Sequence, residues 1–419
     1  MIQLIKRLLF SLVVAQVFSF LSYLLIAQKF TPNDFGKFSA LLATSSFLLP
    51  FATLRVEQKI YSHTKIENVI SDVKTAYTLT TFVSLAFISV SVLGYFVTGI
   101  SDMWMTNSFS YLGIILFALG INSVGYSLAT YKGLKQVLGI WPIVQNATYF
   151  FILLIFAYVR PNFSTILIAL FFSRIMPLFY MKSLFPPSSR NISGFNEQIA
   201  RIKVLFKENK YPIITALSDQ LIVALPVIGL FNIYSSRLSG LFALGVIFLQ
   251  SPSGLLASAI NSSILVNMSE RTLKERKFLG SNLIKNYWMK VVGLLASVTL
   301  GFSSIGILMG VLDLGKWNGV GFIILCQSPP IILMILWIPL SSMLQSLGEW
   351  KVRFIISLIQ VLIIAIPYTY IKFNMVSDIQ FIVLASISTF IAILISCSIA
   401  ISIIKKSGGQ QFRVDDVIS

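Results

Sequence analysis

Apolar runs of about 20 residues recur along the whole chain, each long enough to cross a hydrocarbon layer of roughly 30 Å at about 1.5 Å per residue. Twelve can be placed, at about 8–28, 38–59, 76–98, 109–131, 139–159, 163–184, 211–231, 239–265, 288–311, 319–346, 353–371 and 379–404. With 56% hydrophobic and 11% charged residues, the composition exceeds anything a water-soluble core requires. The expected fold is therefore an all-α polytopic membrane protein. The first run lacks a small-residue cleavage site, so it reads as a retained signal anchor.

The basic residues orient these spans. Of 32 Lys and Arg, only Lys29, Lys37, Arg160, Arg237, Lys316 and Lys372 fall in outer loops if the N-terminus is cytoplasmic, and Arg55 and Arg174 lie within spans. The others gather on the inner side, as the positive-inside rule requires, and both termini are expected to be cytoplasmic. This distribution also accounts for the net charge of +17, because the excess faces an anionic leaflet from short loops. No soluble basic domain remains to grip nucleic acid. Cys326 and Cys397 lie inside apolar runs and His63 is the single histidine, so no metal-ligand set can be written.

Two halves are legible. Gly36-Lys37-Phe38-Ser39-Ala40 at the start of the second span matches Gly240-Leu241-Phe242-Ala243-Leu244 at the start of the eighth, and Pro50 has a near counterpart in Pro252. Gly133, Ile140 and Gln145 match Gly348, Ile355 and Gln360 at a similar offset. Both halves start on the same side, which predicts parallel repeats: an N-terminal six-helix lobe over 1–184, a linker over 185–210, a C-terminal six-helix lobe over 211–404 and a cytoplasmic tail over 405–419. Ile199, Ile202, Leu205 and Phe206 stand at helical spacing among Arg201, Lys203 and Lys207, so the linker is expected to carry an amphipathic helix on the inner surface. Prolines within spans, notably Pro50, Pro177, Pro226 and Pro252, are candidate hinges because each removes a backbone hydrogen bond.

Charges in the apolar runs are the informative residues, since an ionised group near the bilayer centre costs about 2.5–3.5 kcal/mol on insertion scales. Arg174 and Asp219 fall near the middle of the sixth and seventh spans. They read either as a pair locking the halves together or as a cavity in which Arg174 attracts an anionic substrate while Asp219 pairs with it or takes a proton. Arg55 and Glu57 lie nearer the inner end of the second span, and two residues apart on a helix they face roughly opposite directions. Arg55 either snorkels to the headgroups or faces the cavity mouth. Gln145 and Gln360 can hydrogen-bond sugar hydroxyls or join helices. No Ser/His/Asp set, phosphate-binding glycine loop or Asp-rich metal motif is present, which counts against an enzyme.

Thr31-Pro32-Asn33-Asp34-Phe35-Gly36-Lys37-Phe38-Ser39, followed by Ala52-Thr53-Leu54-Arg55-Val56-Glu57-Gln58, resembles the opening motifs of bacterial polysaccharide-biosynthesis membrane proteins. These are the O-antigen (Wzx-like) flippases of the multidrug/oligosaccharidyl-lipid/polysaccharide exporter superfamily. Leu225-Pro226, Ser239-Gly240-Leu241-Phe242-Ala243-Leu244, Ser251-Pro252 and Ala257-Ser258-Ala259-Ile260 are similar to the same family's later pattern. The resemblance implies a MATE-like fold of two six-helix lobes alternating between inward-open and outward-open states in the bacterial inner membrane. The implied substrate is an undecaprenyl-pyrophosphate-linked oligosaccharide, with membrane lipids, a polysaccharide polymerase and a chain-length regulator as candidate partners. No cofactor is implied, though coupling to H+ or Na+ through Asp219 is an alternative. Two other readings stay open: a cation-coupled multidrug exporter of the same superfamily, and a repeat-unit polymerase.

Overall fold

The computed structural model describes residues 2–60, 66–98, 103–132, 135–179, 195–269, 273–311, 315–373 and 376–408. Among the described residues the elements are α1 (Ile2–Lys29), α2 (Pro32–Thr53), α3 (Val56–Lys59), α4 (Ile66–Thr98), α5 (Met103–Tyr131), α6 (Lys135–Val159), α7 (Phe163–Phe179), α8 (Phe195–Ile233), α9 (Ser236–Ser269), α10 (Leu273–Val311), α11 (Val320–Ser346), α12 (Trp350–Phe373) and α13 (Asp378–Gly408). A single 3-10 turn, Gly315–Trp317, precedes α11. Apart from the four-residue α3, these helices follow the expected spans one for one. Eight are long and apolar enough to cross a membrane, and four shorter apolar stretches, Val13–Lys29, Phe163–Phe179, Ser236–Ser251 and Ser297–Met309, fall on the other four expected spans.

The chain divides into two compact units, Met1–Gly240 and Leu241–Ser419. Within the first, α4 packs on α5, α5 on α7, and α6 on α7. Within the second, α10 packs on α11, α11 on α13, and α12 on α13. Three of these pairings recur between spans three to six and spans nine to twelve, and the second unit adds a packing of α10 on α13 that has no counterpart between α4 and α7. The first unit also contains the seventh span, because α8 packs along α2.

The linker differs from its expectation. Residues 185–194 lie outside the described residues, but from Phe195 the amphipathic stretch runs into the seventh span as one helix of 39 residues, about 58 Å long. Its amphipathic character survives: Leu205 is fully buried and Ile202 packs on the same cluster, while Lys203, Lys207 and Lys210 stay exposed. The last expected segment divides in the same way, with Lys405 and Lys406 in the final turn of α13 and 409–419 outside the described residues, as is His63.

The start of α2 shows what Thr31 to Gly36 encodes. Thr31 caps the helix by accepting from the Asp34 backbone N–H at 3.1 Å, and its hydroxyl donates to the Asp34 carboxylate at 2.6 Å. Pro32 takes the first turn, where a missing N–H costs nothing, and Asp34 places negative charge at the positive end of the helix dipole. Phe35 is fully buried one residue later.

A broken second span and a paired glycine contact

The second span is broken near its C-terminal end. Pro50 lies inside α2, and the break comes four residues later at Leu54 (φ 51°, ψ 25°) and Arg55 (φ 54°, ψ 29°), both left-handed. Left-handed backbone costs non-glycine residues roughly 1–2 kcal/mol each, so two in succession persist only where the surroundings enforce them. Four sets of contacts do so. Thr80 of α4 donates its hydroxyl to the Ala52 carbonyl at 3.0 Å, and Asn209 of α8 donates its amide to the Leu54 carbonyl at 2.8 Å. These acceptors lost their helical partners at the break. Leu54 and Val56 are buried in a cluster with Val69, Val73, Leu128, Leu205 and Ile213. Lys59, at the end of α3, pairs with Asp72 at 3.4 Å and also with Glu208.

The break revises the geometry expected of Arg55 and Glu57. On a continuous helix they would diverge; here Arg55 Nη1 donates to Glu57 Oε1 at 3.1 Å. Arg55 Nε, Glu57 Oε2 and Gln58 Oε1 are buried without a hydrogen-bond partner. Asp72 was not singled out in the sequence, yet it is fully buried and accepts from Arg201 Nε at 2.8 Å as well as pairing with Lys59. Its signal was the stripe Val69, Asp72, Val73, Ala76, where a carboxylate occupies a position at apolar helical spacing. Removing one partner of a buried pair typically costs about 3–5 kcal/mol. Asp72→Ala is therefore expected to lower the thermal midpoint of the detergent-solubilised protein strongly, and Asp72→Ala/Arg201→Leu to recover part of the loss. An unchanged midpoint in the single variant would contradict this.

At the other end of α2 the two repeat-related glycines meet. A Cβ on Gly36 would lie 1.7 Å from the Ser236 carbonyl oxygen and 2.9 Å from the Gly240 nitrogen. A Cβ on Gly240 would lie 1.9 Å from the Pro32 carbonyl oxygen and 2.9 Å from the Gly36 nitrogen. The contact is reciprocal: Pro32 and Gly36 of α2 stand to Ser236 and Gly240 of α9 as the reverse, at one sequence offset. Small residues four apart let backbones approach where no side chain could fit, as in other membrane helix pairs. Asn33 and Ser236 add a side-chain hydrogen bond beside it.

Candidate functional site

Arg174 projects from α7, three residues before Pro177. Asn122 of α5 donates its amide to the Arg174 carbonyl at 2.8 Å. Tyr23 of α1 and Tyr149 of α6 lie near the guanidinium. Arg174 Nε is buried with no acceptor. Among the described residues Arg174 forms no ion pair, so the expected lock with Asp219 is not made; Asp219, on α8 between Pro212 and Pro226, has contacts of its own. An arginine cannot shed its charge in a protein. The first unit thus holds a fixed cation beside two tyrosines and without a carboxylate partner, an arrangement suited to an incoming anion. Tyr23 and Tyr149 escaped the sequence reading because apolar runs contain many tyrosines and nothing local marks these two.

Gln145 is half-buried on α6. Gln360, on α12 in the second unit, is fully buried, and neither amide atom has a hydrogen-bond partner. Arg353, one of the inner-side cations, is only 3% exposed: its guanidinium lies 4.7 Å from the centre of the Trp337 ring and donates to Ser357. Pro177 and Pro226 are buried within α7 and α8, and Pro252 lies within α9. Among the described residues no group of three or more His, Cys, Asp or Glu could hold a metal ion.

Neither a family model nor a curated protein matches the sequence. Solved structures do. A lipid II flippase, MurJ, in an inward closed conformation superposes with a TM-score of 0.70 at 13% identity, over 99% of this chain and 89% of that one. A MOP-superfamily transporter from Pyrococcus furiosus gives 0.62 at 14% identity over 96% of both chains. An inward-facing multidrug resistance MATE family transporter gives 0.61 at 14% identity, over 93% and 96%.

The chain shares the fold of these solved structures. The likeness covers 93–99% of the chain, so the shared fold extends through the C-terminal half, where the sequence motifs had faded. The chain is accordingly a multi-pass membrane protein, and the solved structures that share its fold are transporters and flippases.

Proposed function

We propose that this chain is a flippase of the bacterial inner membrane. It moves undecaprenyl-pyrophosphate-linked O-antigen or capsular repeat units from the inner to the outer leaflet by alternating access. The observation that carries this reading is Arg174, a permanent cation half-buried in a lobe near Tyr23 and Tyr149, with no ion-pair partner among the described residues. A pyrophosphate supplies the missing charge, and such pairing is strongest where water is scarce. The kinship in fold to a lipid II flippase supports a lipid-linked cargo, whose tail can remain in the bilayer. Arg55, 23% exposed in its side chain beside Glu57, is assigned to the anionic headgroup. Gln145 and Gln360 are assigned to sugar hydroxyls, and Asp219 to H+ or Na+ coupling. A polymerase and a chain-length regulator would act on the delivered units. The likeness in fold to MATE transporters supports a second reading, cation-coupled multidrug export.

Deleting the gene in its host and labelling lipid-linked glycans by leaflet separates these readings. Single repeat units trapped on the cytoplasmic leaflet are expected. Single units on the outer leaflet would instead mean polymerase, and normal glycans with increased drug sensitivity would mean exporter.

A further inference from the structure

The inner break of the second span has no explanation in the apolar pattern, yet it is among the most heavily supported points of the first unit. Two successive left-handed residues, Leu54 and Arg55, end α2, and the side chains that take up the Ala52 and Leu54 carbonyls come from distant sequence. The Ala52 carbonyl takes the Thr80 hydroxyl, and the Leu54 carbonyl takes the Asn209 amide. Thr80 is fully buried and Asn209 is 7% exposed, so neither bond competes with bulk water. Gly120 of α5 leaves the room that Thr80 occupies: a Cβ there would lie 2.5 Å from the Thr80 methyl carbon. On α8, Leu205, Asn209 and Ile213 stand at i, i+4 and i+8, so one face of that helix presents the amide between two apolar side chains that bury Leu54 and Val56.

We infer that Asn209 and Thr80 are positioning residues for Arg55: by occupying the carbonyls freed at the break they hold the left-handed turn that aims its guanidinium at Glu57. A regular helix through 54–55 would return both carbonyls to backbone donors and rotate Arg55 away from Glu57. The side-chain donors are what make the broken form self-sufficient. This inference rests on the reading of Arg55 as the residue that receives the anionic headgroup, and it extends that role to two side chains that touch no substrate.

The test uses the full chain in inside-out vesicles, with Cys326 and Cys397 replaced by alanine. In an Arg55→Cys version, labelling by a membrane-impermeant thiol reagent reports where residue 55 points, whatever the chain transports. Asn209→Leu, close in volume but lacking the donor, is expected to change the labelling rate by about tenfold, as loss of one buried hydrogen bond would. Thr80→Val is expected to act in the same direction and Thr80→Ser to keep the native rate. An unchanged rate in Asn209→Leu, or Thr80→Ser behaving like Thr80→Val, overturns the proposal. Transport of the lipid-linked glycan supplies the second readout. Asn209→Leu lowers it in the otherwise native chain but adds nothing to Arg55→Ala, the non-additivity expected of residues acting through one group. Losses that multiply would make Asn209 an ordinary structural residue and overturn the proposal. Normal transport by Arg55→Ala, with the labelling shift intact, would remove the role given to Arg55 while leaving the turn held as described.

Discussion

Gly36→Ala and Gly240→Ala are each expected to end transport. Their Cβ atoms would fall 1.7 Å and 1.9 Å from backbone carbonyl oxygens, where no rotamer change can relieve the clash. To restore ordinary contact the two helices must part by roughly 1–2 Å, which removes the close packing on which membrane helix pairs depend. A direct measurement is available at the neighbouring Asn33 and Ser236, whose side chains touch. With Cys326 and Cys397 replaced by alanine, Asn33→Cys/Ser236→Cys is expected to form a disulfide readily, and the same pair with Gly36→Ala to form it far more slowly. Equal rates would mean that the close approach is dispensable. Serine at either glycine should fail like alanine, because the obstacle is the first side-chain atom and not its polarity.

Arg174→Ala is expected to abolish glycan delivery while leaving the protein abundant. An arginine inside a membrane lobe is a cost of about 2.5–3.5 kcal/mol on insertion scales, so removing it should leave stability unchanged or raise it. Loss of function with undiminished thermal stability therefore assigns the residue to the substrate. The expected drop is about 30-fold or more, given that truncating one side of a buried charged contact costs roughly 2–5 kcal/mol. Arg174→Lys should retain part of the activity, since it keeps the charge and loses the planar fork. Tyr23→Phe and Tyr149→Phe should be milder, each removing one hydroxyl near the guanidinium. Near-normal transport by Arg174→Ala would end its proposed role, and a sharp fall in stability would make it structural instead.

The two residue sets differ in how they could be found. Gly36 and Gly240 were visible as a repeat, and their offset relates the residues that the structure places against each other. Arg174 was visible as a charge in an apolar run, although the tyrosines beside it were not. Asp72 and Asn209 sit in segments that read as polar loop and linker, and their burial follows from helices running beyond the expected span limits.

Sequence alone determined the apolar helices, because a bilayer selects helices by length and apolarity, which are local properties of the chain. The break at Leu54 and Arg55, the single helix from Phe195 to Ile233 and the surroundings of Arg174 were decided only by tertiary structure. The contacts involved join residues far apart in sequence: Asn209 with Leu54, Arg201 with Asp72, and Asn122 with Arg174. A left-handed leucine has no local cause. It exists because a buried amide from another helix satisfies the carbonyl that the broken helix leaves behind.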